Sequence, residues 1–268
     1  MLRPDLIELL RKPAITDDKY SRGVVGFVTG SEAYAGAAIL GVTAAMRCGI
    51  GMVRFIGPTR VGDLVLEVRP ETVLTDGRAQ AWVLGSGMTA TDDSDQIRAH
   101  FETAEIAIVD AGGLALVDFA SRPKRTVLTP HAGELAGLLT SLGHEASRTQ
   151  VEAEPQKFAK LAAELTDCVV LLKGNTSVLV SPDNEMLEMR NLSSALSTAG
   201  TGDVLAGMLG ALLAANFLAV IESQETFMHT IELAVLLHSE AAQLASEDGP
   251  VVALDVAEAV RKVIASYE

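Results

Sequence analysis

The segment Ser197-Thr-Ala-Gly-Thr-Gly-Asp203-Val-Leu-Ala-Gly207 sets two glycines around Thr201 and an acid at the head of a long apolar stretch. Glycines let successive backbone N–H groups turn the same way, and at a helix start those groups form a cradle for an anion. An acid beside that cradle repels a phosphate and is no ligand for one. It suits another task, taking the proton from a hydroxyl that attacks a phosphoryl group held in the cradle. The plain alternative is a first-turn carboxylate that steadies the helix. Lys173 poses a similar choice. It closes the most apolar run, Cys168-Val-Val-Leu-Leu-Lys-Gly174, where a cation is costly unless a phosphate or carboxylate faces it. Asp110 closes Ile106-Ala-Ile-Val-Asp110 and can either orient a loop or polarise a site. Gly36-Ala37-Ala38 opens an Ala-rich segment whose small residues either admit a phosphate or ribose or simply pack tightly on a sheet.

Such residues need a scaffold that gathers segment ends. Short β-branched runs predict strands over 23–29, 52–56, 81–85, 106–110, 126–130 and 168–174, with a hairpin formed by 176–182 and 185–189. Helices are expected over Gly36–Cys48, over Thr91–Glu102 opened by Thr91-Asp92-Asp93, and over Ser147–Glu164 with a kink at Pro155. From Asp203 to Tyr267 the pattern is mainly helical. Alternation of near-continuous apolar strands with helices predicts a mostly parallel sheet, helices on both faces and the antiparallel hairpin at one edge. Ligands on such sheets bind at the carboxyl ends of the strands, where Asp110, His131 and Lys173 fall. No linker or repeat divides the chain, so residues 1–268 are expected to form one α/β domain.

Composition excludes other classes. Apolar residues make up 49% of the 268 and charged residues 21%, enough to bury a large core and too apolar for general disorder. The net charge of −14, the absence of a Lys/Arg cluster along the chain and an aromatic content of 4% argue against a nucleic-acid partner. Cys48 and Cys168 lie far apart without metal-ligand spacing and read as buried thiols of a reducing compartment. The opening Met-Leu-Arg-Pro-Asp-Leu-Ile-Glu-Leu-Leu carries acids in its apolar stretch and is not expected to be a signal peptide. Val204 to Ile221 holds no charge over 18 residues, the threshold for a membrane span, but Gly207, Gly210 and Asn216 dilute it. A helix buried in a cytoplasmic protein is expected instead, with no membrane partner.

Beside this reading stands a resemblance. The Gly-x-Gly-Asp element at Gly200–Asp203 resembles the one that carries the catalytic base in the ribokinase-like superfamily. Leu128-Thr-Pro-His131-Ala-Gly-Glu134 is similar to that fold's strand-end Thr-Pro-His-x-Gly-Glu, and Leu172-Lys173-Gly174-Asn175-Thr176-Ser177 to its Lys-Gly nucleotide turn. Gly30-Ser31, Tyr34-Ala-Gly36-Ala37-Ala38 and Ala45-Met-Arg-Cys48-Gly49-Ile-Gly51 resemble its N-terminal substrate region. Val109-Asp110-Ala111, Arg148, His238 and Leu254-Asp255-Val256 continue the match. In order and joint presence these segments, from about residue 19 to about 262, look like the ADP/ATP-dependent NAD(P)H-hydrate dehydratases.

The resemblance implies a ribokinase-like α/β fold and dehydration of hydrated NADH or NADPH, with ADP or ATP as co-substrate and Mg²⁺ as cofactor. It assigns Asp203 as base and Gly200 and Gly202 to the cradle. Lys173, Gly174, Asn175, Thr176, Ser177 and Gly202 would bind the nucleotide, and Gly36, Ala38, Gly87, His131 and Asp203 the hydrate. Glu134 is the candidate for ordering water around Mg²⁺, which usually keeps several waters; an ordinary helix-start acid is the alternative. His238, on an apolar helix, is expected to be a satisfied core histidine. A homo-oligomer, as large as a tetramer, is implied, and the epimerase fused to many relatives is expected here as a separate chain. Two departures stand out: Ala199 replaces the first glycine of Gly-Gly-Thr-Gly-Asp, and Gly85-Ser86-Gly87 replaces Gly-Pro-Gly. A kinase of a small hydroxyalkyl heterocycle is the runner-up, and a non-catalytic nucleotide sensor the reading from another class.

Overall fold

The computed structural model describes residues 2–89 and 95–267. Its centre is an eight-stranded sheet: β1 (Val24–Val28), β2 (Met52–Ile56), β3 (Ala81–Leu84), β4 (Ile106–Val109), β5 (Arg125–Leu128), β6 (Val169–Leu172), β7 (Ser177–Val180) and β8 (Met186–Met189), in the order 2-1-3-4-5-6-7-8. Pairs from β2 through β6 are parallel, while β6–β7 and β7–β8 are antiparallel, as the sequence pattern predicts.

The strands read as continuous apolar runs because both faces are covered. Ala81 and Val83 enter one core with Val25, Phe27, Ile106 and Ile108, while Trp82 and Leu84 enter the other with Val28, Ala107 and Val109. Helices α1 (Pro4–Ile7), α2 (Ala35–Arg47), α8 (Thr201–Ala215), α9 (Phe217–Glu222), α10 (Gln224–Ala245) and α11 (Ala253–Ala265) supply the first core. Helices α4 (Asp95–Thr103), α5 (Ala132–Ser141), α6 (Arg148–Ala153) and α7 (Pro155–Thr166) supply the second. Helix α3 (Thr59–Val68) turns Val61 and Val65 inward beside β2.

Two expectations change in detail and a third is untested. Pro155 separates α6 from α7 rather than kinking one helix, because the ring lacks an N–H and favours the first helical position. The Thr91-Asp92-Asp93 helix opening lies outside the described residues. The uncharged run 204–221 is cut at Asn216, whose side chain donates to the Leu212 and Leu9 carbonyls. Among the described residues no helix is long and apolar enough to cross a membrane.

Helix α8 lies against α2 without side chains between them: a Cβ on Gly207 would overlap the Gly41 carbonyl. A Cβ on Gly210 would stand 2.5 Å from Val83 Cγ2 and 2.8 Å from Val25 Cγ2, so α8 also rests directly on the sheet. The C-terminal ends of both helices border one cavity, lined by Arg11, Lys12, Arg22, Arg47 and Arg261 among others. Folding thus gathers a basic cluster that is dispersed along the chain. Arg11 donates to the Ala215 carbonyl and Arg22 to the Gly49 carbonyl, which satisfies acceptors at the negative helix ends. Cys168, before β6, is buried as expected, whereas Cys48, at the end of α2, is only half-buried and borders this cavity; loss of water pushes both thiols up to about 12.

Candidate active site

Helices α2, α5 and α8 all begin at the carboxyl ends of the strands, and α2 and α8 run side by side in the same direction. Their positive ends therefore face the same side of the sheet. The N-cap of α8 is Gly200, at φ +91°, a left-handed conformation costly for any residue with a Cβ. A Cβ there would also approach Leu40 Cδ1 to 2.6 Å. Having no side chain, Gly200 offers nothing to the first-turn N–H groups; that of Thr201 turns back to the Thr198 carbonyl at 3.4 Å, and those of Gly202 and Asp203, without a partner among the described residues, are the ones open to an anion. Thr201 is instead anchored through its hydroxyl, which donates to the Leu196 and Thr198 carbonyls at 2.8 and 2.9 Å.

Lys173 reaches this helix start. A Cβ on Gly202 would stand 3.3 Å from its Nζ. The ammonium donates to Asp110 Oδ1 at 2.7 Å, and Asp110, only 2% exposed, also accepts from Thr129 Oγ1 at 2.7 Å and Ser86 Oγ at 2.9 Å. The ends of β3, β4, β5 and β6 are thereby tied together. Burial pushes the Asp110 carboxyl up, but the Lys173 ammonium and the two hydroxyls outweigh it and hold it below the usual range. Burial likewise disfavours the Lys173 cation, and Asp110, Glu134 and Asp203 more than restore it. Both stay ionised at neutral pH.

Asp203 is different. It is partly buried, with no hydrogen bond or ion pair among the described residues, and its carboxyl is pushed up to about 7. Burial is the main cause, the Asp110 and Glu134 anions add to it, and Lys173 pulls the other way. A carboxylate with that affinity for protons is matched to general-base work near neutrality. His238, expected to be satisfied, is not: its Nε2 is buried without a partner among the described residues. Burial and the nearby Lys173 push it down to about 3 despite an opposing backbone contact at Thr201, so it is neutral beside α8.

His131 and Glu134 spend part of their capacity on α5. His131 Nδ1 accepts from the Gly133 and Glu134 N–H groups at 3.0 and 3.1 Å, and Glu134 Oε2 accepts from the His131 N–H at 2.8 Å. This capping box occupies Nδ1, while Nε2 of the exposed His131 lies 3.5 Å from Glu134 Oε1. His131 is also paired with Lys173 across β5 and β6, whose backbone N–H donates to the Pro130 carbonyl. Of the expected nucleotide residues, Gly174 and Asn175 are exposed at the turn after β6 and Thr176 is half-buried. Ser177 is buried and its hydroxyl closes that turn onto Gly174, while Lys173 points inward to Asp110. Gly36 faces open space, whereas Ala38 is fully buried against Gly30. Gly87 sits where a Cβ would overlap Ala37 and approach Gly30 Cα to 3.3 Å. Next to them a cleft of about 590 Å³ opens at the ends of β1 and β2, lined by Thr29, Gly30, Ser31 and Met88, with the buried Thr29 hydroxyl unpartnered among the described residues.

Ser86 and Thr129 are the residues that sequence reasoning did not assign. Ser86 does carry a signal, since it stands where the resembling family has proline, which could not donate to Asp110.

Residues 25–264 match the family model described as NAD(P)H-hydrate dehydratase. The chain is 35% identical over 261 residues to the bifunctional NAD(P)H-hydrate repair enzyme of Corynebacterium glutamicum, covering 88% of this chain and 45% of that protein. It thus spans about half the length of such relatives. It is 30% identical to the ADP-dependent (S)-NAD(P)H-hydrate dehydratase of Bacillus subtilis, covering 86% of this chain and 83% of that one. The crystal structure of the ADP/ATP-dependent NAD(P)H-hydrate dehydratase of Bacillus subtilis, co-crystallised with ATP and Mg²⁺, is similar over 98% of this chain and 96% of that one, with a TM-score of 0.83 and 26% identity.

Proposed function

The chain belongs to the NAD(P)H-hydrate dehydratase family and has its ribokinase-like fold, and from that premise we propose that it dehydrates hydrated NADH or NADPH at the expense of ADP or ATP. The observation that carries the reading is Asp203: a carboxyl with raised proton affinity beside an uncapped helix start and a buried ammonium.

The chemistry follows from the leaving group. Hydroxide departs poorly from a hydrated ring, so the hydroxyl is first phosphorylated. Asp203 takes the hydroxyl proton as the oxygen forms its bond to the terminal phosphorus of the nucleotide. The bond from that phosphorus to the bridging oxygen breaks, and the shortened nucleotide keeps the electron pair. First-turn N–H groups of α8 stabilise charge on the moving group, each such donor being worth roughly 10²–10³ in rate. Phosphate then leaves with the C–O pair, and loss of a proton from the neighbouring carbon restores the double bond. His131 Nε2 and the cleft beside Gly87 and Ala38 hold the hydrate; Gly174, Asn175 and Thr176 line the nucleotide's approach.

Among the described residues no group of three ligands could cage a metal ion. That fits Mg²⁺ which retains its waters and rests chiefly on substrate phosphates. Glu134, with Oε2 committed to the α5 cap and Oε1 3.5 Å from His131 Nε2, would order those waters from its remaining lone pairs, and the ion would supply charge neutralisation on the phosphates. A cytoplasmic homo-oligomer completes the proposal.

The test is incubation with hydrated NADH, Mg²⁺ and ADP or ATP. Regained reduced-nicotinamide absorbance with release of inorganic phosphate is expected. A stable phosphorylated product would favour the kinase reading, and no turnover the sensor.

A further inference from the structure

We propose that Asp110, seated by Ser86 and Thr129, is a positioning residue that holds the Lys173 ammonium at the glycine end of the α8 cradle, where Lys173 neutralises the transferring phosphoryl group. The inference rests on the dehydratase reading and deepens it: Lys173 serves the transfer step rather than the nucleotide's diphosphate or ribose.

Geometry carries the argument. Lys173 leaves β6 beside the exposed turn at Gly174 and Asn175, yet its Nζ does not follow that turn. It points inward, 2.7 Å from Asp110 Oδ1 and 3.3 Å from where a Gly202 Cβ would stand. Its side chain is 19% exposed and that of Asp110 3%. Three donors on three different strand ends converge on the two oxygens of Asp110, which fixes the carboxylate and, through it, the ammonium. Ala111, the next residue, holds a left-handed φ of +46°, a conformation that residues with a Cβ rarely adopt. Salt bridges of this kind gain little stability over apolar packing, so a buried pair aimed at a helix start is better explained by position than by stability.

Asp110 and Lys173 act on Asp203 with opposite sign, since the first is an anion and the second a cation. Glu134 from α5 is the third charged group facing it. From the other packed helices, α10 brings the neutral His238 near Lys173, and α2 only Arg47 at its far end. On α11, Asp255 is tied to its own helix cap and Glu258 to Arg47 and Arg69.

The experiment compares wild type, Asp110→Asn and Lys173→Met in kcat, in KM for ATP and in the pH profile of kcat/KM, with hydrated NADH as substrate. Removing one charge that meets the transferred group is expected to lower kcat by roughly 10²–10³ in Lys173→Met, with KM for ATP changed less than about threefold. The acid limb is expected to move to lower pH in Asp110→Asn and to higher pH in Lys173→Met. Displacements in opposite directions are not produced by loss of structure alone. A rise in KM for ATP of tenfold or more with kcat preserved would overturn the proposal and leave the dehydratase reading intact. Parallel displacement of both acid limbs would overturn it too. Absence of absorbance recovery with the wild type would overturn the dehydratase reading, and the proposal with it. Should a single variant strand a charge and fail to fold, Asp110→Asn with Lys173→Met strands none and carries the same kcat test.

Discussion

Replacing Asp203 with asparagine should make the protein slower and, above neutrality, more stable. The displacement of the Asp203 carboxyl from 3.8 to about 7 corresponds to about 4 kcal/mol, spent on keeping it ionised inside the fold. Between about pH 4 and 7 the folded state retains a proton that the unfolded chain has lost, so stability falls as pH rises through that window and levels off above it. A neutral carboxamide at this position would carry no such cost. The gain of Asp203→Asn over wild type should be near zero at pH 4 and reach at most about 4 kcal/mol at pH 8, roughly 10 °C in Tm for a chain of this size. Activity should drop by about 10²–10⁴. The wild-type kcat/KM should rise roughly tenfold from pH 6 to pH 8 as the base ionises. Calorimetry at several pH values and a pH–rate profile read both effects. An Asp203→Asn variant that is less stable at pH 8, or whose stability difference ignores pH, would mean that the carboxylate has a partner and the reasoning is wrong.

Gly200→Ala should cost about 2 kcal/mol or more, from the left-handed backbone and the approach to Leu40, and raise KM for nucleotide; urea denaturation and kinetics report the two. His131→Asn should preserve the α5 cap while His131→Ala loses about 1 kcal/mol, and both should raise KM for the hydrate about 2- to 10-fold, because only the Nε2 donor is common to the loss. Gly207→Val should destabilise the fold by about 1–3 kcal/mol by parting α2 from α8, visible as a lowered urea midpoint. Finally, a chain of −14 repels anionic substrates at long range while its helix starts attract them at contact. Apparent KM should therefore fall as ionic strength rises from about 0.01 to 0.15 M, since salt screens the distant repulsion first. A KM that climbs with salt would refute this.

The strands were legible because burial on both faces leaves runs such as Val169–Leu172 with no polar residue at all. Gly-Thr-Gly-Asp was legible because glycine conformation and helix start coincide in four residues. The Asp110 network was not. Its partners lie 19, 24 and 63 positions away, and only the sheet order brings Thr129, Ser86 and Lys173 to one carboxylate. The same holds for the cations around the ends of α2 and α8, drawn from residues 11–47 and from Arg261 near the other end of the chain. Spacing along a sequence reports local geometry; contacts across strand ends need the topology.

The two native thiols, Cys168 buried and Cys48 half-buried, have a practical consequence. With both raised to about 12, only about one in ten thousand is thiolate at pH 8, against roughly a quarter for an ordinary exposed cysteine. Both native thiols should therefore react slowly with maleimides at that pH. An Asn175→Cys substitution at the exposed tip after β6 should take up a fluorophore ahead of them, turning that turn into an optical reporter of nucleotide arrival without removing either native thiol.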